Sequence, residues 1–261
     1  MKLLATFAAF MVSVPSVCIY AATGAPSVAP RSIAVQTVPV QEEMRWRGWV
    51  PSGQVVEINN VNGNVRAEET SGDQIEVIAL KRGSADPDGV SIEVVEHKGG
   101  VTICAVYPNA NAGHPFECRP SHGGGFRIAS TSDSEAHIRW ENGGGGDVLL
   151  NDLRVDFLVL VPKGLRFIGR TVDGEISTHL FDQDVEVHNV RGNVSFEMNP
   201  ANGAEVRAET AMGQMDSEFP LSIRCDRNRG MSASGHFGHA HRRLVRLKTD
   251  SGNIRLQRAT L

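Results

Sequence analysis

The stretch Val55–Val77, VVEINNVNGNVRAEETSGDQIEV, decides the fold. Its apolar residues fall at every second position: Val56 and Ile58, then Val65 and Ala67, then Ile75 and Val77. Alternation of this kind, in runs of about five residues, is the pattern of half-buried strands. Asn62-Gly63 and Ser71-Gly72-Asp73 separate the runs, and both are turn sequences. Beyond the first 22 residues no apolar stripe of helical period and useful length is present, so the expected class is all-β.

Working outward, the same punctuation returns at Asp173-Gly174, Arg191-Gly192, Asn202-Gly203, Met212-Gly213 and Ser251-Gly252. Each is followed by an apolar strand position: Ile176, Val194, Val206, Met215 and Ile254. Gly174 to Gly192 is 18 residues, Gly192 to Gly213 is 21, and Gly213 to Gly252 is 39, close to two periods, with Gly230 or Gly235 filling the gap. A period near 20 with a half-step at Gly203 implies two short strands per unit. The segment VRAEETSGDQI at 65–75 is echoed by VRAETAMGQM at 206–215.

Two architectures fit. Stacked rungs make a β-solenoid, each rung burying its apolar side chains against the next. A meander of hairpins uses the same Asn-Gly and Asp-Gly turns. The recurrence of like turns at full steps favours the solenoid.

The remaining strands expected are Ser91–His97 and Val101–Tyr107, joined as a hairpin at Gly99-Gly100, and the strongly apolar Leu153–Val161. An irregular insertion is expected over 108–146, with at most a short strand at Ala136–Trp140. Trp46 and Trp49 either line a binding surface or cap the open end of the core.

The chain has 261 residues and a formal charge of −4, so no basic surface points to nucleic acid. Residues 1–22 read as a secretory signal: Lys2, an apolar run, then small residues at Ala21-Ala22. Residues 23–44, with Pro26, Pro30 and Pro39, read as an extended linker leading to a repeat domain over 45–261. Export implies a mature domain that does not span a membrane and lies in the periplasm, on the cell surface or outside the cell. In an oxidising compartment Cys104 and Cys118 are placed to form a disulfide, and Cys225 is left over beside Ile223, where burial is expected.

The segments EINNVNGNVRA (57–67), VDFLVLVPKGLRF (155–167) and KTDSGNIRLQ (248–257) resemble the bacterial putative-adhesin family of β-strand-repeat domains. The resemblance covers about residues 45–261 and is weakest over Cys104–Gly146. It implies a single-stranded, β-helix-like solenoid in an exported or envelope-facing protein, and it brings no catalytic residues.

Sites with chemical potential are few, and no catalytic residue or cofactor is expected. His236, His239 and His241 have metal-ligand spacing, but Gly235 and Gly238 make a solvated loop the simpler reading. His114 and His122 flank Cys118, where a metal site would compete with the disulfide. Asp173, Glu175, Asp182 and Asp184 are the carboxylates a polysaccharide-cleaving β-helix would need, and their position at turns explains them without catalysis. The Gly runs 123–125 and 143–146 lack the lysine and helix of a phosphate loop.

More suggestive is a mixed-charge outward face: Glu57, Arg66, Glu68, Glu186, His188, Arg207, Glu209, Arg246 and Lys248. The expected function is a non-enzymatic interaction or adhesion module binding a protein or glycan at the envelope. The alternatives are a sensing or scaffold domain, and a polysaccharide-acting enzyme.

Overall fold

In the computed structural model the described residues are 40–261, without 84–85, 109–116, 121–125, 133–134, 141–144, 150–151, 228, 239–242 and 260–261. The expected signal segment and most of the expected linker therefore lie outside the described residues. So do His114, His122, His239 and His241.

The chain forms β1 (Val40–Gly48), β2 (Val55–Asn59), β3 (Val65–Thr70), β4 (Ile75–Gly83), β5 (Ser91–His97) and β6 (Gly100–Val106). There follow β7 (Phe126–Ser132), β8 (Glu135–Trp140), β9 (Gly145–Leu149), β10 (Arg154–Pro162), β11 (Arg166–Asp173) and β12 (Ile176–His179). The last are β13 (Val185–Arg191), β14 (Val194–Met198), β15 (Ala204–Met212), β16 (Met215–Ser217), β17 (Ser222–Asp226), β18 (Gly230–Phe237), β19 (Leu244–Ser251) and β20 (Ile254–Arg258). Two 3-10 turns, Pro87–Gly89 and Pro200–Asn202, are the only helical elements among the described residues, and no helix there is long and apolar enough to cross a membrane.

Two mixed sheets make the body. One has the order β1-β4-β10-β3-β12-β14-β20-β16 and is called sheet A here; the other, sheet B, is β17-β18-β15-β19-β13-β11-β2-β6-β5. Their centres are parallel, antiparallel hairpins close both ends of sheet B, and the non-consecutive strands β1, β4 and β10 pair antiparallel at one end of sheet A. Neither sheet closes into a barrel. Apolar rows of both sheets build one core, in which Gly169 of sheet B lies against Ile176 of sheet A.

The parallel part is made from two-strand units. Five strands of sheet B bend at a glycine and continue as strands of sheet A: β2–β3 at Gly63, β11–β12 at Gly174, β13–β14 at Gly192, β15–β16 at Gly213 and β19–β20 at Gly252. These glycines stack. A Cβ at Gly174 would lie 2.0 Å from the Gly63 carbonyl oxygen, one at Gly192 2.0 Å from that of Gly174, and one at Gly252 1.9 Å from that of Gly192. Only a residue without a side chain lets the units approach to strand spacing here.

A second ladder runs inside the corner, three residues before each glycine. Thr171 Oγ1 donates to the Gly63 carbonyl at 3.1 Å, Asn189 Nδ2 to Gly174 at 2.6 Å, Thr249 Oγ1 to Gly192 at 3.0 Å and Thr210 Oγ1 to Gly252 at 2.8 Å. Asn60 Nδ2 extends it to the Val155 carbonyl at 2.8 Å. All five side chains are buried, so each hydroxyl or amide has its hydrogen-bond partner in the backbone of the neighbouring unit.

The stacking order departs from continuous winding. The last unit in the chain, β19–β20, lies between β13–β14 and β15–β16 in both sheets. Neither Gly230 nor Gly235 supplies a missing corner: Gly230 opens β18, and Gly235 lies within that strand, where β17 and β18 form an antiparallel hairpin. The two VRAE echoes also occupy different places. Val65 follows its corner glycine into sheet A, whereas Val206 precedes its own in sheet B.

Other boundaries move as well. Val40–Met44, expected in the linker, pair with Ala79–Gly83 and belong to sheet A. The insertion carries its own three-stranded antiparallel sheet, β7-β8-β9, in place of one short strand. Trp46 lies across Gly48 while Trp49 is exposed, so the two rings do not act together as a cap. Cys225, expected to be buried, is exposed, because β17 is an edge strand with every residue in solvent.

Candidate functional site

Outward-facing side chains of sheet B form rows that follow the strand register. One row runs Thr102, Glu57, Ile168, Glu186, Arg246, Arg207, and the next Cys104, Asn59, Arg170, His188, Lys248, Glu209. Over the first of these rows, and over its neighbour containing Val55, Arg166 and Leu244, lies an open groove of about 830 Å³. The β5–β6 turn (His97, Lys98, Gly99) and Pro120 wall one end. The Cys104–Cys118 disulfide, with Cα atoms 5.7 Å apart, fixes that wall by tying Cys118 to β6. The expected pairing is therefore the one found.

Beneath the groove is a buried ionic network. Arg170 and Glu57, each about 1% exposed at the side chain, are joined Nη1 to Oε1 at 2.5 Å, and Arg170 Nη2 reaches Glu186 Oε1 at 3.2 Å. Asn59 Nδ2 donates to Glu57 Oε1 and Thr102 Oγ1 to Glu57 Oε2, each at 3.1 Å. His97 continues the chain. Gly99 N–H donates to its Nδ1 at 3.2 Å, which assigns the proton to Nε2, 3.2 Å from Thr102 Oγ1. Donation thus runs from imidazole to hydroxyl to carboxylate, and the guanidinium completes it. A carboxylate this deep needs such partners, since a buried unpaired charge is strongly unfavourable.

His188, beside Arg170 on the neighbouring strand, is neutral. Burial pushes its pKa down to about 3, and the positive charges of Lys248 and Arg170 act in the same direction.

The outward mixed-charge face is thus divided and partly covered. Arg66 and Glu68 lie on sheet A, where they pair with each other, and the other seven residues lie on sheet B. Glu57 and His188 are buried, contrary to the expectation of solvent exposure.

The candidate carboxylates of a hydrolase are dispersed. Asp173 pairs with Arg191 at 3.2 Å, Glu175 accepts from Asn193 at 2.9 Å, and Asp184 accepts from the Leu244 N–H at 2.8 Å. Asp182 is paired with Glu69, which sequence reading did not single out. The Asp182 N–H donates to Glu69 Oε2 at 2.7 Å, and burial, with the side-chain hydrogen bond that the protonated Glu69 carboxyl gives to the Asp182 carboxylate, raises the Glu69 pKa to about 7. Carboxyls in direct contact leave no room for a scissile glycosidic bond, for which retaining enzymes keep about 5 Å. Thr102, next to the groove, is wholly buried and held on Glu57.

Of the candidate metal-ligating histidines only His236 is described; it is exposed on β18, opposite Glu205, and Cys118 is taken up by the disulfide. Among the described residues no group of three or more His, Cys, Asp or Glu is placed to hold a metal ion.

Sequence reading did not find Arg170, Arg166, Thr102, His97 or Lys98. Arg170 alternates with the inward Gly169 as any solvent-facing residue would, and its partner Glu57 is 113 positions away. No local signal marked Glu57 either: VVEIN alternates as a half-buried strand does, and its outward residues Val55 and Asn59 are buried only in the fold.

Fold and site together define an all-β scaffold with a polar groove on one sheet face. The chain is similar to a solved structure of a putative cell adhesion protein from Clostridium sporogenes, at 10% identity and TM-score 0.47, covering 84% of this chain and 100% of that one. It is also similar to a putative adhesin from Bacteroides fragilis, at 8% identity and TM-score 0.26, covering 84% of this chain and 97% of that one. No family model matches the chain, and no curated protein matches it.

Proposed function

We propose that this chain is an exported, non-enzymatic interaction or adhesion module of the bacterial cell envelope, binding a glycan or protein on the outer face of sheet B. The observation that carries the reading is the groove on a rigid sheet, floored by a buried network in which Glu57, Arg170, Thr102 and Glu186 hold one another fixed. Side chains positioned in this way are pre-organised for recognition. Their polar atoms are engaged with each other, which supports binding over proton transfer. The disulfide supports an oxidising location. The stacked corner units support a solenoid-type scaffold with one unit displaced from chain order. A polysaccharide-cleaving role has less support, because the carboxyls are either in direct contact or bonded to neighbouring backbone and side chains.

The test is a binding screen of the purified protein against glycans and envelope fractions, with product analysis of every glycan retained. Retention of an intact polymer is expected. Cleavage of a retained glycan, or failure to retain any component, would sink the reading.

A further inference from the structure

The charges lining the groove are not equally committed. Glu57 and Glu186 are bonded to Arg170, and Asp184 accepts the Leu244 N–H. The cations are different. Neither Arg166 nor Lys98 has an acidic partner within salt-bridge distance among the described residues, and Arg246 comes only to 3.9 Å from Glu186. All three are exposed. With Arg170 beneath the floor counted, four cations (Lys98, Arg166, Arg170 and Arg246) face three carboxylates (Glu57, Asp184 and Glu186), so the charge the groove has left to offer a ligand is positive although the chain is net negative.

The floor also limits the kind of anion. It crosses β2, β11, β13 and β19, neighbouring strands of sheet B, for roughly 14 Å at the usual strand spacing. Those strands are interior to the sheet, so their backbone groups are already paired within the sheet. An extended peptide laid across them would find no free N–H or C=O to satisfy its own backbone, unlike one added at a sheet edge. A polyol has no such requirement. Its hydroxyls can be met by the unused oxygens of Asp184 and Glu186, and its carboxylates by Arg166, Arg246 and Lys98. Among the described residues no tryptophan or tyrosine lines the groove, so charge is the main source of affinity that these residues offer a sugar.

We infer that the groove over β2, β11, β13 and β19 binds a carboxylate-bearing oligosaccharide, with Arg166, Arg246 and Lys98 holding its acid groups. This rests on the binding-module reading above and names the ligand class for that site.

The experiment is calorimetric titration of the full exported chain with trigalacturonate, its carboxyl-reduced counterpart, and an oligoglutamate of similar length. Trigalacturonate is expected to bind, and to bind more weakly when salt is raised from about 0.05 to about 0.5 M. R166E and R246E, both at exposed positions, should each weaken it by roughly tenfold with an unchanged melting curve. Equal binding of the carboxyl-reduced sugar, tighter binding of oligoglutamate, or indifference to both substitutions would overturn the assignment. Should trigalacturonate fail while the screen finds another ligand, the groove assignment falls and the broader reading stands. Should nothing bind in either experiment, both fall.

Discussion

Gly192→Ala tests the architecture where it is tightest. Gly192 has φ +133°, a backbone region that an L side chain rarely adopts, at a cost of about 1–2 kcal/mol. The new Cβ would also lie 2.0 Å from the Gly174 carbonyl oxygen and 2.9 Å from Asn189 Nδ2. That is more than an ångström short of contact, so β11–β12 and β13–β14 must separate at the corner. The bonds nearest the clash are Gly174 N–H to Arg191 O at 3.0 Å and Asn189 Nδ2 to Gly174 O at 2.6 Å. Losing these two at about 1 kcal/mol each, on top of the backbone cost, gives roughly 3–4 kcal/mol. Stability of a domain is about 5–15 kcal/mol, so a urea transition should shift clearly to lower denaturant.

Two controls separate the causes. Gly53→Ala meets φ +84° but open space, and should show the backbone cost alone, about 1 kcal/mol. Gly89→Ala meets open space without a positive φ and should be within about 0.5 kcal/mol of the parent. If Gly192→Ala lost no more stability than Gly53→Ala, the corner glycines would not be in contact and the stacking of units would be refuted.

Arg170→Met should destabilise by about 3–5 kcal/mol because it strands the Glu57 charge, and adding Glu57→Leu should recover much of the loss; a double-mutant cycle by denaturant titration reads the coupling. His188 is neutral in the fold with its pKa near 3, so its contribution is present above about pH 6.5 and is lost as pH falls through that range towards 3. His188→Gln should flatten this limb of the stability curve, and an unchanged slope would place His188 in solvent. Glu69 has the opposite sign. With its pKa raised to about 7, its contribution is present below the usual carboxylate range and is lost as pH rises through 7, a trend that Glu69→Gln should remove from melting curves. Non-reducing peptide mapping should recover Cys104 linked to Cys118, and reduction should cost roughly 3 kcal/mol for a loop of this size; free thiols at both positions would contradict the structure.

Much of the architecture was legible because strand and turn signals are local. Alternation at Val56, Ile58, Val65 and Ala67, and glycines at 63, 174, 192, 213 and 252, put strands and corners where they are found. The polar ladder could also have been read, since Asn or Thr stands three residues before every corner glycine. The order of units was not legible. Each unit presents the same apolar row and the same glycine to either neighbour, so β19–β20 can stack between β13–β14 and β15–β16 with no local mark of it. The same limit explains the β17–β18 hairpin, whose alternation looks like that of a corner unit although its strands run antiparallel.

The sequence by itself determined an all-β chain turning at glycines, a half-buried pattern in each strand, and two cysteines close enough in the chain to pair. These follow from short-range rules of backbone geometry and side-chain alternation. Tertiary structure decided which outward charges are buried and which remain available. Glu57 and Arg170 are 113 residues apart and meet only because β2 and β11 are neighbours in sheet B. Burial and charge pairing are set by what lies within a few ångströms in space, so the balance that leaves Arg166, Arg246 and Lys98 facing the groove is a property of the sheet order.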